Sequence, residues 1–400
     1  MLWLTFVAIL IVPALSQQDP VREIHWASNP GCPDNFTRWD CNETQILHVM
    51  AKGPNDTINY LWALYSKPAL LMAVTEPEAR LQIDWNQLGN SSKRLIRFDP
   101  QPTYSFGLVL DRIIEFYDPL DKADMTQANS SIAWDCRKFS WTVKDVTSGV
   151  ENLRVELLGN NYENGSKIGN VSVVLSAFGS DGYGPLLPHM QHSNNASQVE
   201  ITLENLETSE DFKSEARFGL QLMVVDSVPG EGMDDVLHRR SLDDEHTPGV
   251  FDINTLQTPE VRNGEAGGYM EWRPVAYTSP VRAIEESTSA VHYPLKNVSQ
   301  AHLKGTLLHD FYGHNLAHVL VPQSLNISFG ISEDGFYDVT KYNAWTFTMA
   351  YGQPPKDKFS LLVIMILAVG LGLPAVIFVF GGAYMCVKKS RTRRDEPLIN

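Results

Sequence analysis

Cysteine is scarce: four residues in 400, too few for a disulfide-dense scaffold. Charge is sparse at 20%, and basic residues are the poorer side, 32 Lys and Arg against 47 Asp and Glu, a net −15. Without a basic excess the chain has no electrostatic footprint for nucleic acid or for an anionic lipid surface. The usual catalytic signatures are missing too. G-x-S-x-G, H-E-x-x-H and G-x-x-x-x-G-K-[ST] do not occur, and no fixed-period repeat is found. What is present is 43% apolar residues, enough to build a sizeable core. The length admits two or three domains.

The two ends are hydrophobic in different ways. Residues 1–16 are almost wholly apolar and end in the small residues Ala14 and Ser16, the pattern of a signal peptide cleaved after Ser16. Residues 359–387 carry no charge. As a helix, Leu361–Met385 rises roughly 37 Å at about 1.5 Å per residue, long enough to cross a hydrocarbon core of about 30 Å. Gly370, Gly372 and Pro374 would break a soluble helix but are tolerated in a membrane span. Lys388, Lys389, Arg391, Arg393 and Arg394 follow, which places the tail 388–400 in the cytosol by the positive-inside rule. The tail nets +3, leaving −18 for the rest. The expected topology is single-span type I, with residues 17–358 lumenal.

Ten N-x-[ST] sequons begin at Asn35, Asn42, Asn55, Asn90, Asn129, Asn164, Asn170, Asn195, Asn297 and Asn326, all ahead of the span. Chance placement of the 23 Asn would give roughly three, so the excess is a second, independent argument for a lumenal body. A coat this dense screens backbone from proteases. Cys32, Cys41 and Cys136 are lumenal and allow one disulfide, whose pairing the sequence leaves open. Cys386 sits at the cytosolic boundary, where palmitoylation is common.

Within the body the hydrophobic period is two. Phe106–Leu110, Leu153–Leu157, Val199–Leu203, Leu325–Ile331 and Trp345–Tyr351 alternate apolar with polar residues between clusters of Gly, Pro, Asn and Asp. Such runs are antiparallel strands with one wet face. The expected fold is all-β, two sandwich-like units over 17–165 and 166–358, plus the C-terminal span. Short helical pieces are expected at Arg112–Tyr117 and Asp234–Arg239. Residues 226–268, rich in Asp and Glu and punctuated by Pro and Gly, read as a long acidic surface loop.

Candidate chemistry is thin. Ser180, between Gly179 and Asp181, sits in a turn rather than on a nucleophile elbow. His309, His314 and His318 have spacings of five and four that suit two ligands on one helical face, but Gly313 interrupts the run and no carboxylate follows at ligand spacing. The residues indicate neither a metal nor a cofactor. All eleven histidines are lumenal and gain charge as pH falls toward about 5.

Several blocks together resemble the glycosylated lysosomal membrane protein family. The best are Ser241–Phe251 (SLDDEHTPGVF) and Glu271–Tyr277 (EWRPVAY), with support from Tyr60–Trp62, Phe139–Trp141, Leu325–Phe329 and the ending Ile399-Asn400. Their order, with the sequons, span and tail, covers nearly the whole chain. The resemblance implies a lysosomal membrane resident without catalytic activity. It would be the accessory subunit, in a heterodimer, of a multispan major-facilitator transporter exporting dipeptides, which it shields from proteolysis. The chain departs from the family in two places. Its lumenal cysteines lie in the first half, so no disulfide pairing carries over. Its tail also lacks the tyrosine-based sorting signal, and Asp395, Glu396, Leu398 and Ile399 instead resemble an acidic dileucine signal, with Arg394 where the acidic residue belongs.

A membrane-anchored lumenal hydrolase would share the sequons and acidity, but would need paired carboxylates or a nucleophile brought together by the fold. For a subunit, contact falls on sequon-free surface, and residues 198–296 are the longest such stretch. Asp243, Asp244, Trp272 and Tyr277 are the expected partner contacts.

Overall fold

The computed structural model describes residues 21–33, 40–89, 93–241, 250–355 and 361–394. The signal segment 1–16, Asn35, Asn90, Asp243, Asp244 and the sorting residues Asp395, Glu396, Leu398 and Ile399 lie outside the described residues.

Runs rich in β-branched and aromatic residues form the strands. A first meander comprises β1 (Glu23–Ser28), β2 (Ile46–Lys52), β3 (Thr57–Ala63) and β4 (Ala69–Thr75). The hairpin β5 (Arg80–Ile83) and β6 (Ile96–Asp99) leads into β7 (Tyr104–Tyr117), then β8 (Ser131–Asp135). A second meander, β9 (Ser140–Ser148), β10 (Asn152–Asn160) and β11 (Asn170–Phe178), precedes the small hairpin β12 (Gly182–Tyr183) and β13 (Gln191–His192). Next come β14 (Ala196–Glu204), β15 (Ala216–Asp226), β16 (Leu237–Arg240), β17 (Asp252–Gln257), β18 (Gly268–Trp272) and β19 (Val275–Tyr277). Last are β20 (Ser287–His292), β21 (Lys296–Asn297), β22 (Gln323–Phe329) and β23 (Tyr342–Tyr351), with the short helices α1 (Leu307–Tyr312) and α2 (Asn315–His318) before β22.

All of these strands pair antiparallel. One sheet runs β1–β2–β3–β4–β7–β15–β22, with β8 following β4 along the same edge of β7. The other runs β9–β10–β11–β14–β23, with β18 and β19 in succession on the far edge of β23 and β17 and β16 beyond β18. The sheets meet at β20, whose first half pairs with β19 and second half with β22. Facing side chains, such as Val49, Tyr60 and Met72 from one sheet and Val155, Val173 and Phe347 from the other, make the main core.

The first sheet is buried on its outer face as well. There Leu61, Leu71, Val109 and Met223 pack under Phe98 of β6 and Leu308 and Phe311 of α1. Both faces being covered, β3 (TINYLWA) and β4 (ALLMAVT) are buried at every position and do not alternate. Among their polar residues Asn59 is paired within the sheet: it donates to Thr75 Oγ1 at 2.9 Å, and its Oδ1 lies 2.8 Å from His48 Nε2. The second sheet keeps a wet outer face over β10, where Leu153, Val155 and Leu157 are inside while Arg154 and Glu156 point out.

Three expectations change. Arg112–Tyr117 is not helical but the second half of β7, because Ile113, Ile114 and Phe116 pair with β15 and β8. Asp234–Arg239 likewise gives way to β16, which pairs with β17. The acidic stretch 226–268 is not one loop, since it contains β16, β17 and a helical turn at Pro259–Arg262. Position 165/166 falls in the β10–β11 connection, strands from either side of it share both sheets, and the chain up to Pro355 forms one compact unit.

The second unit, Lys356–Asn400, contains the expected apolar helix. A helical segment of 28 residues, Ile364–Arg391, contains an 18-residue window of mean hydropathy 2.5. A π-type turn at Ala368–Gly372 lies just before Pro374, whose missing N–H and ring disturb the preceding turn.

Phe311 closes the outer core and is fully buried. Phe311→Ala is expected to cost about 3–5 kcal/mol, read as a lowered unfolding midpoint of the full chain; a change within error would show that α1 is not an integral cover of the sheet.

Candidate functional site

Eight sequons fall among the described residues. Asn42, Asn55, Asn129, Asn164 and Asn297 are exposed, and Asn170, Asn195 and Asn326 are half-buried. Strand alternation explains Asn326: it sits in mid-β22 between the buried Leu325 and Ile327, so its side chain takes the outward face. Its Oδ1 accepts from Gln221 at 3.2 Å, and Asn195 Oδ1 accepts from Arg22 at 2.9 Å. Both bonds use the carbonyl oxygen and not the Nδ2 atom to which a sugar is attached.

Of the lumenal cysteines, Cys32 and Cys41 form the disulfide, with a sequence separation of nine. Cys136 is buried, and burial pushes its thiol pKa well up, which keeps it inert.

The histidines are not brought together. His309 is on α1 and largely buried, its Nδ1 lying 3.5 Å from Asp310 Oδ1. Gly313 (φ 57°) ends that helix, and His314 and His318 are exposed beyond the break. Among the described residues no group of three or more His, Cys, Asp or Glu could hold a metal ion. Asp310 instead joins two loops to α1, since its Oδ2 accepts from Tyr65 Oη at 2.9 Å and from the Gly89 N–H at 2.7 Å.

Trp272 and Tyr277 cannot be partner contacts as expected. They are 0% and 3% exposed, because β18 and β19 lie against β23: Trp272 turns into the main core, and Tyr277 lies beneath the Arg282 guanidinium, which is 5.7 Å from its ring centroid. Trp272 packs edge-on against Trp345 at 6.0 Å between ring centroids.

Sequence reading missed the buried charges, which pattern analysis counts as wet-face residues. Arg217, 3% exposed, holds Asp118 Oδ2 at 2.8 Å, Asp334 Oδ1 at 2.8 Å and Asp121, and its guanidinium lies 5.2 Å from the Phe336 ring centroid. It thereby pins the loops after β7 and β22. Glu115 accepts from the Ser209 N–H at 2.5 Å and its hydroxyl at 2.9 Å. Asp111 is the extra residue of a bulge in β7, and Lys67 reaches it at 2.5 Å and Asp135 at 3.0 Å. Each cluster is a clamp between segments, built on charges of opposite sign or on a carboxylate and its donors.

Asp226 is different. It is 2% exposed at the end of β15, and its Oδ2 has no hydrogen-bond partner. Burial, reinforced by the neighbouring Glu260, raises its pKa to about 7. Glu260 is itself raised, chiefly by burial. These are the paired, shifted carboxylates that a hydrolase would need, yet Asp226 has no face open to a substrate. The consequence is for stability. An acid whose pKa is raised on folding stabilises the fold at low pH, and the contribution is lost as pH climbs from the ordinary 3.8 through about 7. His192 opposes it in the same range: burial lowers its pKa to about 4, so stability is lost as pH falls from 6.5 toward that value.

Asp226→Asn, which mimics the neutral acid, isolates the first effect. Relative to this variant, the wild type should gain on the order of 2 kcal/mol between about pH 7.4 and pH 5, read from unfolding midpoints across pH. A difference that stays flat would mean Asp226 is already ionised in the fold.

The chain matches the family model described as glycosylated lysosomal membrane protein over residues 45–392. Glycosylated lysosomal membrane protein A of Xenopus laevis is 28% identical over 393 residues, 96% of this chain and 94% of that protein. The Danio rerio protein is 30% identical over 363 residues, 88% of this chain and 87% of the relative. The Homo sapiens protein is 24% identical over 360 residues, covering 84% and 82%. These relatives bear the name of a membrane protein, not of an enzyme. The chain belongs to the glycosylated lysosomal membrane protein family, a lysosomal membrane protein whose one candidate span among the described residues fits the single-pass type I topology read from its sequence.

Proposed function

We propose that the chain is a non-catalytic accessory subunit of a multispan lysosomal transporter, of the major-facilitator type that exports dipeptides, and that it stabilises this partner and shields it from proteolysis. The observation that carries the reading is a sequon-rich β body on a single span, with its buried ionic groups engaged in loop clamps rather than gathered around a cleft. One helix encloses no transport path, whereas a multispan transporter keeps its substrate site near the bilayer midplane and leaves lumenal loops for a partner to cover. Gly370, Gly372, Gly381 and Gly382 leave open space on the span, where another helix can approach closely. Ten sequons supply the screen. Contact then passes from the buried Trp272 and Tyr277 to exposed apolar residues of the same sequon-free stretch, Leu237 at 53% and Phe251 at 40%.

Purification from lysosomal membranes in mild detergent, followed by mass spectrometry, tests the reading. One multispan transporter should come down in equal amount and lose abundance in cells lacking this chain; recovery of the chain alone would sink the proposal. Phe251→Ser should weaken co-purification about tenfold if Phe251 anchors the contact.

A further inference from the structure

Five segments remote in sequence meet in a groove of about 570 Å³ at the end of the first sheet, within the range of about 300–1,000 Å³ usual for small-ligand sites. Aromatic side chains and hydrogen-bond donors line it: Tyr65, Phe139 and Trp141 on one hand, Gln45, Arg137 and Lys304 on the other. None of its lining residues is a carboxylate, although the chain holds 47 of them. The lining is also held in place. Arg137 donates from Nε to Ser66 Oγ at 3.1 Å and from Nη2 to the Lys304 carbonyl at 2.8 Å, and Trp141 Nε1 donates to the Cys136 carbonyl at 2.7 Å. Two left-handed glycines of the lining, Gly89 (φ 79°) and Gly305 (φ 76°), pack against each other, and a Cβ on Gly305 would come within 3.2 Å of the Gly89 carbonyl. Aromatic faces beside uncharged and cationic donors suit sugar rings, whose C–H faces stack and whose hydroxyl and acetamido oxygens accept hydrogen bonds.

A groove this open holds a free sugar weakly. A tethered one needs little affinity, because its effective concentration is on the order of millimolar. Such a tether lies beside it. Asn42 precedes the lining residue Gln45 by three positions, at most about 10 Å of extended chain. Its side chain is exposed, and its Nδ2 donates to Asp40 Oδ1 at 2.9 Å.

We propose that the N-glycan of Asn42 folds back into this groove, its first sugars stacked on Trp141 and Tyr65 and hydrogen-bonded by Arg137, Lys304 and Gln45. It is then a packed part of the tertiary structure, unlike a glycan on the exposed β2–β3 turn at Asn55. This does not depend on a transporter partner.

The test is site-resolved release by peptide N-glycosidase from the native full-length glycoprotein, followed by glycopeptide mass spectrometry. Release at Asn42 should run about tenfold slower than at Asn55, the scale of one or two aromatic contacts, and the two rates should become equal after denaturation. Ala301→Trp fills the groove from an exposed position, and Lys304→Ala removes a donor without touching the core. Both should bring Asn42 toward the rate of Asn55. Equal rates in the wild type, an unmodified Asn42, or protection that survives Ala301→Trp would overturn the proposal.

Discussion

The pairing of β7 with β15 is the interaction on which the body depends. From Ala216↔Tyr117 to Asp226↔Phe106 it zips two strands about a hundred residues apart in sequence. Each of its faces is apolar: Phe106, Leu108, Phe218 and Leu220 look into the main core, while Val109, Met223 and Val225 look toward α1. On the edges of this ribbon lie β4 and β8 on one side and β22 on the other, and β22 leads through β20 to the second sheet. Loop closure over such a separation is offset only when burial is extensive, which two-sided coverage provides.

That coverage also explains where the charges went. A sheet buried on both faces leaves its polar residues no water, so each must meet a partner inside. Asp111, Glu115 and Arg217, all on β7 or β15, each hold a second segment: Lys67 before β4, Ser209 before β15, and the loops carrying Asp121 and Asp334. Asp111 Oδ2 keeps no hydrogen bond of its own, and Asp226, which joins no clamp, likewise has one oxygen unpaired. Protonation relieves it, and an acidic compartment supplies the proton. Buried neutral histidines such as His192 pull the other way, so the fold's response to acid is a balance rather than a single switch.

The glycans belong to this account because sequons can sit only where a sugar has room. The described Asn residues lie in turns or on outward strand positions. A lysosomal membrane protein of this family thus turns polar, sequon-bearing surface to its surroundings while the few ionic groups on its central strands are locked within.

The sequence by itself determined much: the apolar span and the basic residues after it, the sequons, and the strands at Phe106–Leu110, Leu153–Leu157, Val199–Leu203 and Trp345–Tyr351. Length of an apolar run, sequon chemistry and a period of two are local properties. Local pattern failed where burial is decided by distant chain. Arg112–Tyr117 read as a short helical piece, and only its pairing with β15 and β8 makes it strand. Trp272 and Tyr277 looked like contact residues because they lie in the longest sequon-free stretch, yet both are buried. The acidic stretch resembled a loop until β16 and β17 found each other and β18. The Cys32–Cys41 pairing, the hub at Arg217, the unpaired oxygen of Asp226 and the groove beside Asn42 were decided only in tertiary structure. Each is made by segments that approach only when the sheets assemble, and spacing along the chain holds no record of that approach.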